Sequence, residues 1–209
     1  MDEPTPATAS ITGAVLAGGR ATRMGGIDKG LVEVGGKSLV ERTLVALKPQ
    51  VGPLMINANR SVEIYAGFGV PVIADRLDDF QGPLAGLQAI LTAATTPYVL
   101  TVPCDAPRIP SDLATRLGRA LIDADAEIAV VQAGGRLQSL HALFRRDLLD
   151  DLSSTLRAGR RKPDAWYATR ALVKVSFEDC SDAFVNINTP QQRDALAAEL
   201  GDAGYGTGN

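Results

Sequence analysis

The segment from residue 16 to residue 29 combines glycines and cations in a pattern suited to binding phosphate. It leaves a buried apolar run and contains four glycines, at positions 18, 19, 25 and 26. Glycine lets the backbone turn sharply, so that bare N–H groups can approach phosphate oxygens. Arg23 and Lys29 would supply positive charge where a triphosphate lies. A glycine-rich connection that merely happens to be basic is disfavoured, because the strand, the glycines and both cations occur together.

Two familiar glycine motifs are excluded. A dinucleotide fingerprint of the form G-x-G-x-x-G is absent, because the glycines at positions 18 and 19 are adjacent and the next one is Gly25. Residues 35–38, Gly-Gly-Lys-Ser, resemble the end of a P-loop, but the first glycine of that motif would fall at Leu31. We therefore predict that residues 35 and 36 form a turn before a helix.

Glycine-rich or polar loops follow four of the predicted strands. These loops begin after Ala17, Asn57, Ala74 and Pro103. In an open parallel sheet, ligands bind in the crevice beyond the carboxyl ends of the strands. We therefore expect the four loops to converge on one crevice, which would be the functional site.

The elements that must position these loops alternate along the chain between short apolar runs and segments of helical periodicity. This alternation predicts an α/β fold: a three-layer sandwich with a mostly parallel, Rossmann-like sheet covered on both faces by helices. Ser38, with Glu41 three residues on, predicts a capping box for the first helix. The predicted strands span residues 11–17, 54–57, 70–74, 98–103, 128–132, 137–144 and 172–177, and the predicted helices span residues 38–48, 83–95, 111–124, 147–158 and 190–200.

Composition limits the classes of protein to consider. The chain has 209 residues, enough for a real core, and its 45% hydrophobic and 22% charged residues are ordinary for a globular protein. A net charge of −3 gives no electrostatic reason to expect a nucleic-acid partner. One histidine and two separated cysteines disfavour a His-based metal site, a Ser-His-Asp triad and a disulfide framework.

Domain organisation and location follow from the same sequence. We expect a single domain over residues 11–200, a disordered leader over residues 1–10 and a disordered tail over residues 201–209. No apolar run approaches the ~18 residues that a membrane helix needs, and the acidic start lacks the pattern of a signal peptide. A cytoplasmic location without membrane association is therefore expected.

The chain resembles the nucleotidyltransferases that activate sugars and cofactors, and in detail the molybdenum cofactor guanylyltransferases. The resemblance covers residues 11 to about 197, and its strongest part is the Leu-Ala-Gly-Gly, Arg-Met-Gly and Lys signature within residues 16–29. It implies the nucleotide-diphospho-sugar transferase type of fold. Weaker matches lie in the expected order at strand ends: Asn-Ala-Asn-Arg at residues 57–60, Asp75 with Gly-Pro-Leu-Ala-Gly at residues 82–86, Pro-Cys-Asp-Ala-Pro at residues 103–107, and Asn-Ile-Asn-Thr-Pro at residues 186–190.

The resemblance implies transfer of GMP from GTP to the phosphate of molybdenum-molybdopterin, with release of pyrophosphate. It implies catalysis by Arg23, Lys29 and Asp105, with Asp105 as the ligand of Mg²⁺, a hard cation that prefers oxygen ligands. It also implies transient contact with proteins that make or receive the cofactor. The residues implied in GTP binding are Leu16, Ala17, Gly18, Gly19, Lys29, Asn57, Asp75 and Asp105. The residues implied in acceptor binding are Gly82, Arg160, Arg161, Asn186 and Asn188.

Three of these polar residues have a structural alternative. Asn57 could form an Asx turn at the end of its strand, and Asp75 could be a loop carboxylate paired with Arg76. Asp105 precedes an Ala-Pro pair and could be a turn or cap residue. The sequence leaves both interpretations of each residue open.

Three further features also have two interpretations. The helix start at residues 82–86 could attract an anion through its free N–H groups, or only pack closely through Gly86. Residues 136–144 resemble the acceptor-side segment of the family, with Ser139 where proline is frequent; His141 within it is interpreted as a partly buried neutral side chain. The basic residues around Gly159 are a solvated surface by default, or they reach the acceptor phosphate.

Three alternative functions remain open. A cytidylyltransferase for the same pterin and a sugar-phosphate nucleotidyltransferase are the nearest. Leu-Ala-Gly-Gly at residues 16–19 favours the guanylyl branch, since the pterin cytidylyl relatives tend to have Leu-Ala-Ala-Gly there, and residues 57–60 favour it too. A non-catalytic GTP-binding protein is disfavoured by the intact set of Arg23, Lys29 and Asp105.

Overall fold

The computed structural model describes residues 5–18, 28–76 and 82–202, with side chains described up to residue 199. Gly19 and Arg23, both predicted site residues, lie outside the described residues. Residues 203–209 of the predicted tail lie outside them as well. Among the described residues, no helix has the length and apolar character needed to cross a lipid bilayer.

The strands confirm most of the predicted boundaries to within a residue or two. The predicted third strand, residues 70–74, is shorter in the structure. In chain order the strands are β1 (Ile11–Leu16), β2 (Glu33–Val34), β3 (Lys37–Ser38), β4 (Leu54–Asn57), β5 (Val72–Ile73), β6 (Tyr98–Pro103), β7 (Ile128–Ala133), β8 (Arg136–Arg145) and β9 (Leu172–Ser176).

Within the described chain, seven strands form one sheet in the order β5-β4-β1-β6-β8-β7-β9. All neighbours pair in parallel except β8, which is antiparallel to both β6 and β7. The cause is the connection between β7 and β8, which consists of Gly134 and Gly135, both with positive φ (59° and 69°). A two-residue turn of this kind can only reverse the chain into a hairpin. The prediction of a mostly parallel sheet is confirmed.

The main helices also lie where the sequence predicts them, and two short ones, α2 and α6, were not predicted. The cap of the first helix is confirmed, because the backbone N–H of Glu41 donates to Ser38 Oγ at 3.3 Å. The helices are α1 (Leu39–Leu47), α2 (Val62–Ala66), α3 (Pro83–Ala93), α4 (Leu113–Asp123), α5 (Leu149–Arg157), α6 (Pro163–Tyr167) and α7 (Pro190–Asp202).

Helices cover both faces of the sheet, as a three-layer sandwich requires. Successive residues of a strand point to opposite faces, so Val15 of β1 packs in the core layer of α1 and α4, and Ala14 packs in that of α3 and α5. Leu117 of α4 and Leu87 of α3 are both buried in these two layers. Burial on both faces explains why the central strands are continuous apolar runs.

Two segments contain short elements that were not predicted from the sequence. Gly35 and Gly36, with φ of 54° and 75°, form the turn of a small hairpin between β2 and β3 that leads directly into α1. The predicted turn before a helix is therefore confirmed, but its flanking strands were not predicted. In the predicted leader, Thr8–Ser10 form a 3₁₀ helix. Ala9 packs closely on Gly52, because a Cβ added to Gly52 would lie 3.1 Å from the Cα of Ala9.

Candidate active site at the carboxyl edge of the sheet

Lys29 and Asp105 meet although they are 76 positions apart in the sequence. Lys29 begins a 3₁₀ helix, Lys29–Leu31, and its Nζ lies 2.5 Å from Asp105 Oδ2. Asp105 follows β6, which pairs with β1 in a register that places Pro103 opposite Leu16. The same Nζ donates to Asn188 Oδ1. Three distant parts of the chain therefore meet at the ends of two adjacent parallel strands.

A cavity of about 430 Å³ opens at this edge of the sheet. It lies beyond the carboxyl ends of β1, β4 and β6, where ligands of open α/β sheets bind. The predicted convergence of the four loops is thus observed. The predicted site residues that line the cavity are Leu16, Ala17, Gly18, Lys29, Asn57, Asp75, Gly82, Asp105 and Asn186.

Asp75 is held on one wall of the cavity by two asparagine amides. Asn57 Nδ2 donates to Asp75 Oδ1 and Asn59 Nδ2 donates to Asp75 Oδ2, both at 2.8 Å. The backbone N–H of Asp75 donates in turn to Asn59 Oδ1 at 2.7 Å. Asn57 Nδ2 also donates to the carbonyl of Ile73, so the side-chain hydrogen bonds described for Asn57 join it to residues 16 and 18 positions away rather than to a local turn. The carboxylate of Asp75 is therefore fixed in orientation, with spare lone pairs on both oxygens.

Two glycines make room for Asn57. A Cβ on Gly18 would lie 3.2 Å from Asn57 Oδ1, and a Cβ on Gly86 would overlap that oxygen and lie 2.9 Å from Asn57 Cγ. Gly86 lies near the start of α3, which Gly82 precedes with φ of 84°. Close packing through Gly86, one of the two interpretations of this helix start, is thus observed, and its partner Asn57 is a predicted site residue.

Asp105 has one carboxylate oxygen without a partner. Oδ2 pairs with Lys29, whereas Oδ1 is buried and has no hydrogen-bond partner among the described residues. A buried, unpaired carboxylate oxygen is costly unless a ligand satisfies it. The described residues hold no cluster of three or more His, Cys, Asp or Glu side chains that could enclose a metal ion. The free Oδ1 beside the cavity suits a hard cation that takes one carboxylate oxygen from the protein and its other ligands from water and phosphate.

Two groups near Lys29, the buried thiol of Cys104 and the half-buried carboxylate of Asp28, were not predicted as site residues from the sequence. The thiol of Cys104 lines the cavity, and burial, followed by the nearby charge of Asp105, raises its pKa, so it is a neutral thiol rather than a nucleophile. Asp28 also lines the cavity, and its Oδ1 accepts a hydrogen bond from the hydroxyl of Tyr65 at 2.6 Å. The only sequence signal for Asp28 was its position next to Lys29.

The predicted acceptor residues are brought together only in part. Ile187 donates its N–H to the Asp105 carbonyl at 2.8 Å, which fixes the segment containing Asn186 and Asn188 beside the cavity. Gln192 Oε1 accepts from the N–H of Asn188 at 2.7 Å, in a capping arrangement at the start of α7.

The basic segment between α5 and α6 approaches Gly82, which lines the cavity, through its backbone. A Cβ on Gly82 would lie 3.7 Å from the carbonyl oxygen of Arg161. The guanidinium of Arg161, however, donates to the carbonyl of Leu156 at the end of α5, and Arg160 is exposed. Acceptor binding by these two side chains stays a prediction.

His141 is buried away from the cavity lining, 2% exposed, with its ring edge-on to Phe184 at 5.0 Å. Burial lowers the pKa of His141 to about 3. The side chain is therefore neutral at physiological pH, as interpreted from the sequence.

Sequence comparison places this site in a family. A family model described as the MobA-like NTP transferase domain matches residues 13–175. The chain belongs to the MobA-like NTP transferase family. A relative from Shewanella sp. (strain MR-4), named molybdenum cofactor guanylyltransferase, is 46% identical over 190 residues, which cover 91% of this chain and 96% of that protein. A relative of the same name from Ralstonia nicotianae is 47% identical over 199 residues, with coverage of 91% and 97%.

Solved structures share the fold of this MobA-like chain. Molybdopterin-guanine dinucleotide biosynthesis protein A from Archaeoglobus fulgidus superposes with a TM-score of 0.76 at 21% identity, covering 91% of this chain and 99% of that one. The 2-C-methyl-D-erythritol 4-phosphate cytidylyltransferase from Thermus thermophilus superposes with a TM-score of 0.66 at 18% identity, covering 90% and 97%. The MobA-like chain thus has the architecture of a nucleotidyltransferase.

Proposed function

We propose that this protein transfers GMP from GTP to the phosphate of molybdenum-molybdopterin, releasing pyrophosphate and forming the guanine dinucleotide cofactor. Two relatives of 46% and 47% identity, each aligned over 91% of the chain, carry the name of that activity. The observation that carries the proposal for this chain is the Lys29–Asp105 pair. Their charged atoms are 2.5 Å apart, and both residues line a cavity together with the other predicted GTP residues that the structure describes.

The proposed reaction needs no side chain to remove a proton. An oxygen of the acceptor phosphate, already an anion, attacks the α-phosphorus of GTP. The bond from the α-phosphorus to the bridging oxygen of the β-phosphate breaks, and pyrophosphate leaves with that electron pair. Positioning and charge stabilisation therefore supply the catalysis. A mechanism without proton removal suits this site, because the nearby thiol of Cys104 is neutral and His141 is buried outside the cavity lining.

Lys29 is proposed to neutralise the triphosphate, and Arg23 is proposed to assist it. In the structure Lys29 is paired with Asp105 and Asn188, so its ammonium group is already directed at the cavity. When GTP binds, phosphate oxygens would replace these partners. Gly19 and Arg23, outside the described residues, keep the roles that the resemblance implies.

Asp105 is proposed to hold Mg²⁺ through its buried oxygen Oδ1. The ion would neutralise charge on the phosphates as the pyrophosphate forms. The carboxylate would contribute a single ligand from the protein. The backbone carbonyl of Asp105 accepts a hydrogen bond from the N–H of Ile187, which keeps Asp105 at the end of β6.

The nucleoside is proposed to bind along the wall formed by Asn57 and Asp75. Two amides orient the Asp75 carboxylate, so its remaining lone pairs can accept N–H or O–H groups of guanine or ribose. Leu16, Ala17 and Gly18 would present backbone groups to the base and phosphates. Gly82, Arg160, Arg161, Asn186 and Asn188 are proposed for the acceptor.

A coupled assay tests the proposal against its rivals. We expect pyrophosphate release only when GTP, Mg²⁺ and molybdenum-molybdopterin are all present, with GMP recovered in the pterin product. Release with CTP at an equal rate would indicate a cytidylyltransferase instead. GTP binding without any pyrophosphate release would indicate a non-catalytic protein. A thermal-shift titration detects such binding, because GTP at a concentration of 100 times its dissociation constant would stabilise the fold by ~2.7 kcal/mol.

Cellular context belongs to the same proposal. The activity implies a cytoplasmic location and transient contact with proteins that make the pterin or receive the dinucleotide. Pull-down with the full chain, in the presence and absence of GTP, would test the contacts.

A further inference from the structure

Tyr65 does not line the cavity, yet it contacts the segment that carries Lys29. It belongs to α2, is fully buried (0% exposed), and its hydroxyl donates to Asp28 Oδ1 at 2.6 Å. Burial, followed by the hydrogen bond to Asp28, raises the pKa of Tyr65, so the hydroxyl keeps its proton and remains a donor. The contact is therefore a fixed, directional bond between α2 and the segment before Lys29.

Asp28 fixes the backbone from which Lys29 extends. It is the last residue before the 3₁₀ helix Lys29–Leu31, and its carbonyl accepts from the N–H of Leu31 at 3.0 Å. Lysine has a long flexible side chain, and ordering it costs conformational entropy. A defined start for that side chain, together with Asp105 and Asn188 at its end, limits the positions that Nζ can occupy.

Gly30 lies very close to the hydroxyl of Tyr65. A Cβ on Gly30 would lie 2.5 Å from the Tyr65 hydroxyl oxygen, closer than real Cβ contacts occur. Only glycine lets the 3₁₀ helix sit against the tyrosine ring. The arrangement thus depends on a pair, the hydroxyl of Tyr65 and the missing side chain of Gly30.

We propose that the hydroxyl of Tyr65 is a positioning group for Lys29, acting through Asp28. The inference rests on the proposed function, because that function gives Lys29 its task on the triphosphate. The same stretch of chain also carries Asn57 and Asn59, which orient Asp75. Residues 57–65 therefore hold the nucleoside side of the cavity at one end and the phosphate side at the other.

Tyr65→Phe tests the inference, because it removes the hydroxyl and keeps the buried ring. We expect kcat/KM for GTP to fall roughly 10- to 100-fold, the scale of a small misplacement of a catalytic group. In the Lys29→Ala background the same substitution should change the rate by less than about twofold, since its effect passes through Lys29. A purely structural role would instead lower the rate equally in both backgrounds.

Thr12→Val is the matched control. Thr12 is buried, its hydroxyl is hydrogen-bonded to that of Thr96 at 2.6 Å, and it lies at the other end of β1 from the cavity. We expect this variant to lower the unfolding temperature while leaving kcat/KM unchanged. It separates the general cost of losing a buried hydroxyl from the specific effect on Lys29.

Two further variants keep the test decisive if Tyr65→Phe fails to fold. Asp28→Ala, at a half-buried position, should reproduce the loss of rate and should also have no further effect without Lys29. Introduced alone, Gly30→Ala should lower kcat/KM for GTP. Combined with Tyr65→Phe it should lower kcat/KM less, because Tyr65→Phe removes the oxygen atom that the new Cβ would meet.

The outcomes separate this inference from the proposed function. Wild-type protein with no GTP-dependent pyrophosphate release would refute the proposed function. An active wild type that Lys29→Ala slows, but with full activity retained in folded Tyr65→Phe, or in folded Asp28→Ala, would refute the positioning role alone.

Discussion

Gly86 and Asn57 are in contact across the interface between α3 and the sheet. A Cβ on Gly86 would overlap Asn57 Oδ1, and it would lie 2.9 Å from Asn57 Cγ. Asn57 is itself buried and donates to Asp75, so a displacement at position 86 reaches the wall of the cavity within two contacts. The packing of one helix glycine therefore affects the proposed nucleoside site.

Gly86→Ala is expected to raise KM for GTP roughly tenfold, because the displaced Asn57 leaves Asp75 Oδ1 without its donor. Steady-state kinetics and the unfolding temperature should be measured together. Ala93→Gly, at the last residue of α3, is the control, since it weakens the same helix at the other end from Gly86 and should leave KM unchanged. An unaltered KM in Gly86→Ala would contradict the prediction.

Asn59→Ala removes the second amide that holds Asp75, and the acceptor of the Asp75 N–H. We predict a rise in KM for GTP of about tenfold with a smaller change in kcat, because the loss affects orientation of a binding group rather than the reacting phosphates. Initial-rate measurements over a range of GTP concentrations give both parameters. A fall in kcat at constant KM would argue against a nucleoside role for Asp75.

Lys29→Ala is predicted to slow turnover by ~10²-fold or more, the scale of one preorganised electrostatic contact. The assay is pyrophosphate release at saturating GTP and acceptor. Lys37→Ala serves as the control, because Lys37 is an exposed lysine 3.7 Å from Glu41 and away from the cavity. Similar rates for the two alanine variants would remove Lys29 from the mechanism.

Asp105→Asn should also lose ~10²-fold in rate, and it should require a higher Mg²⁺ concentration, since the amide binds a hard cation less well than a carboxylate. Rates measured as a function of Mg²⁺ concentration separate the two effects. The exposed carboxylate of Asp112, 3.8 Å from Arg116, offers a control in Asp112→Asn. A folded Asp105→Asn protein with wild-type Mg²⁺ dependence would contradict the proposed ligand.

His141 predicts a pH dependence of stability. Its pKa falls from about 6.5 in the unfolded chain to about 3 in the fold, so below pH 6.5 the unfolded state binds more protons. Stability from this group is complete above pH 6.5 and is lost as the pH falls towards 3; the loss at pH 5 is about 2 kcal/mol. Urea unfolding gives the free energy of unfolding at pH 7 and at pH 5. The decrease between the two pH values should be smaller in His141→Leu than in the wild type by that amount. Equal differences in both proteins would contradict the assignment.

Local sequence determined the elements of this protein. The apolar runs at Leu54–Asn57 and Tyr98–Pro103 are strands with the predicted bounds, since burial on both faces leaves them continuously hydrophobic. Ser38 caps α1 as its spacing from Glu41 predicts. The parallel topology then places the strand ends on one edge, so the meeting of Lys29 with Asp105 followed from the sequence pattern together with a general rule of the fold.

Only the tertiary structure decided the partners of these residues. No motif marks Tyr65 or Asp28 as a partner of the other, and the motif at residues 57–60 does not reveal that Asn59 holds Asp75. A hydrogen bond between residues 16 or 37 positions apart depends on where the intervening chain returns. The need for glycine at position 86 likewise depends on the distance between α3 and the strand that ends at Asn57, which is set by packing. Composition and periodicity specify which face of an element is buried, whereas the contacts of single polar atoms are set by the complete fold.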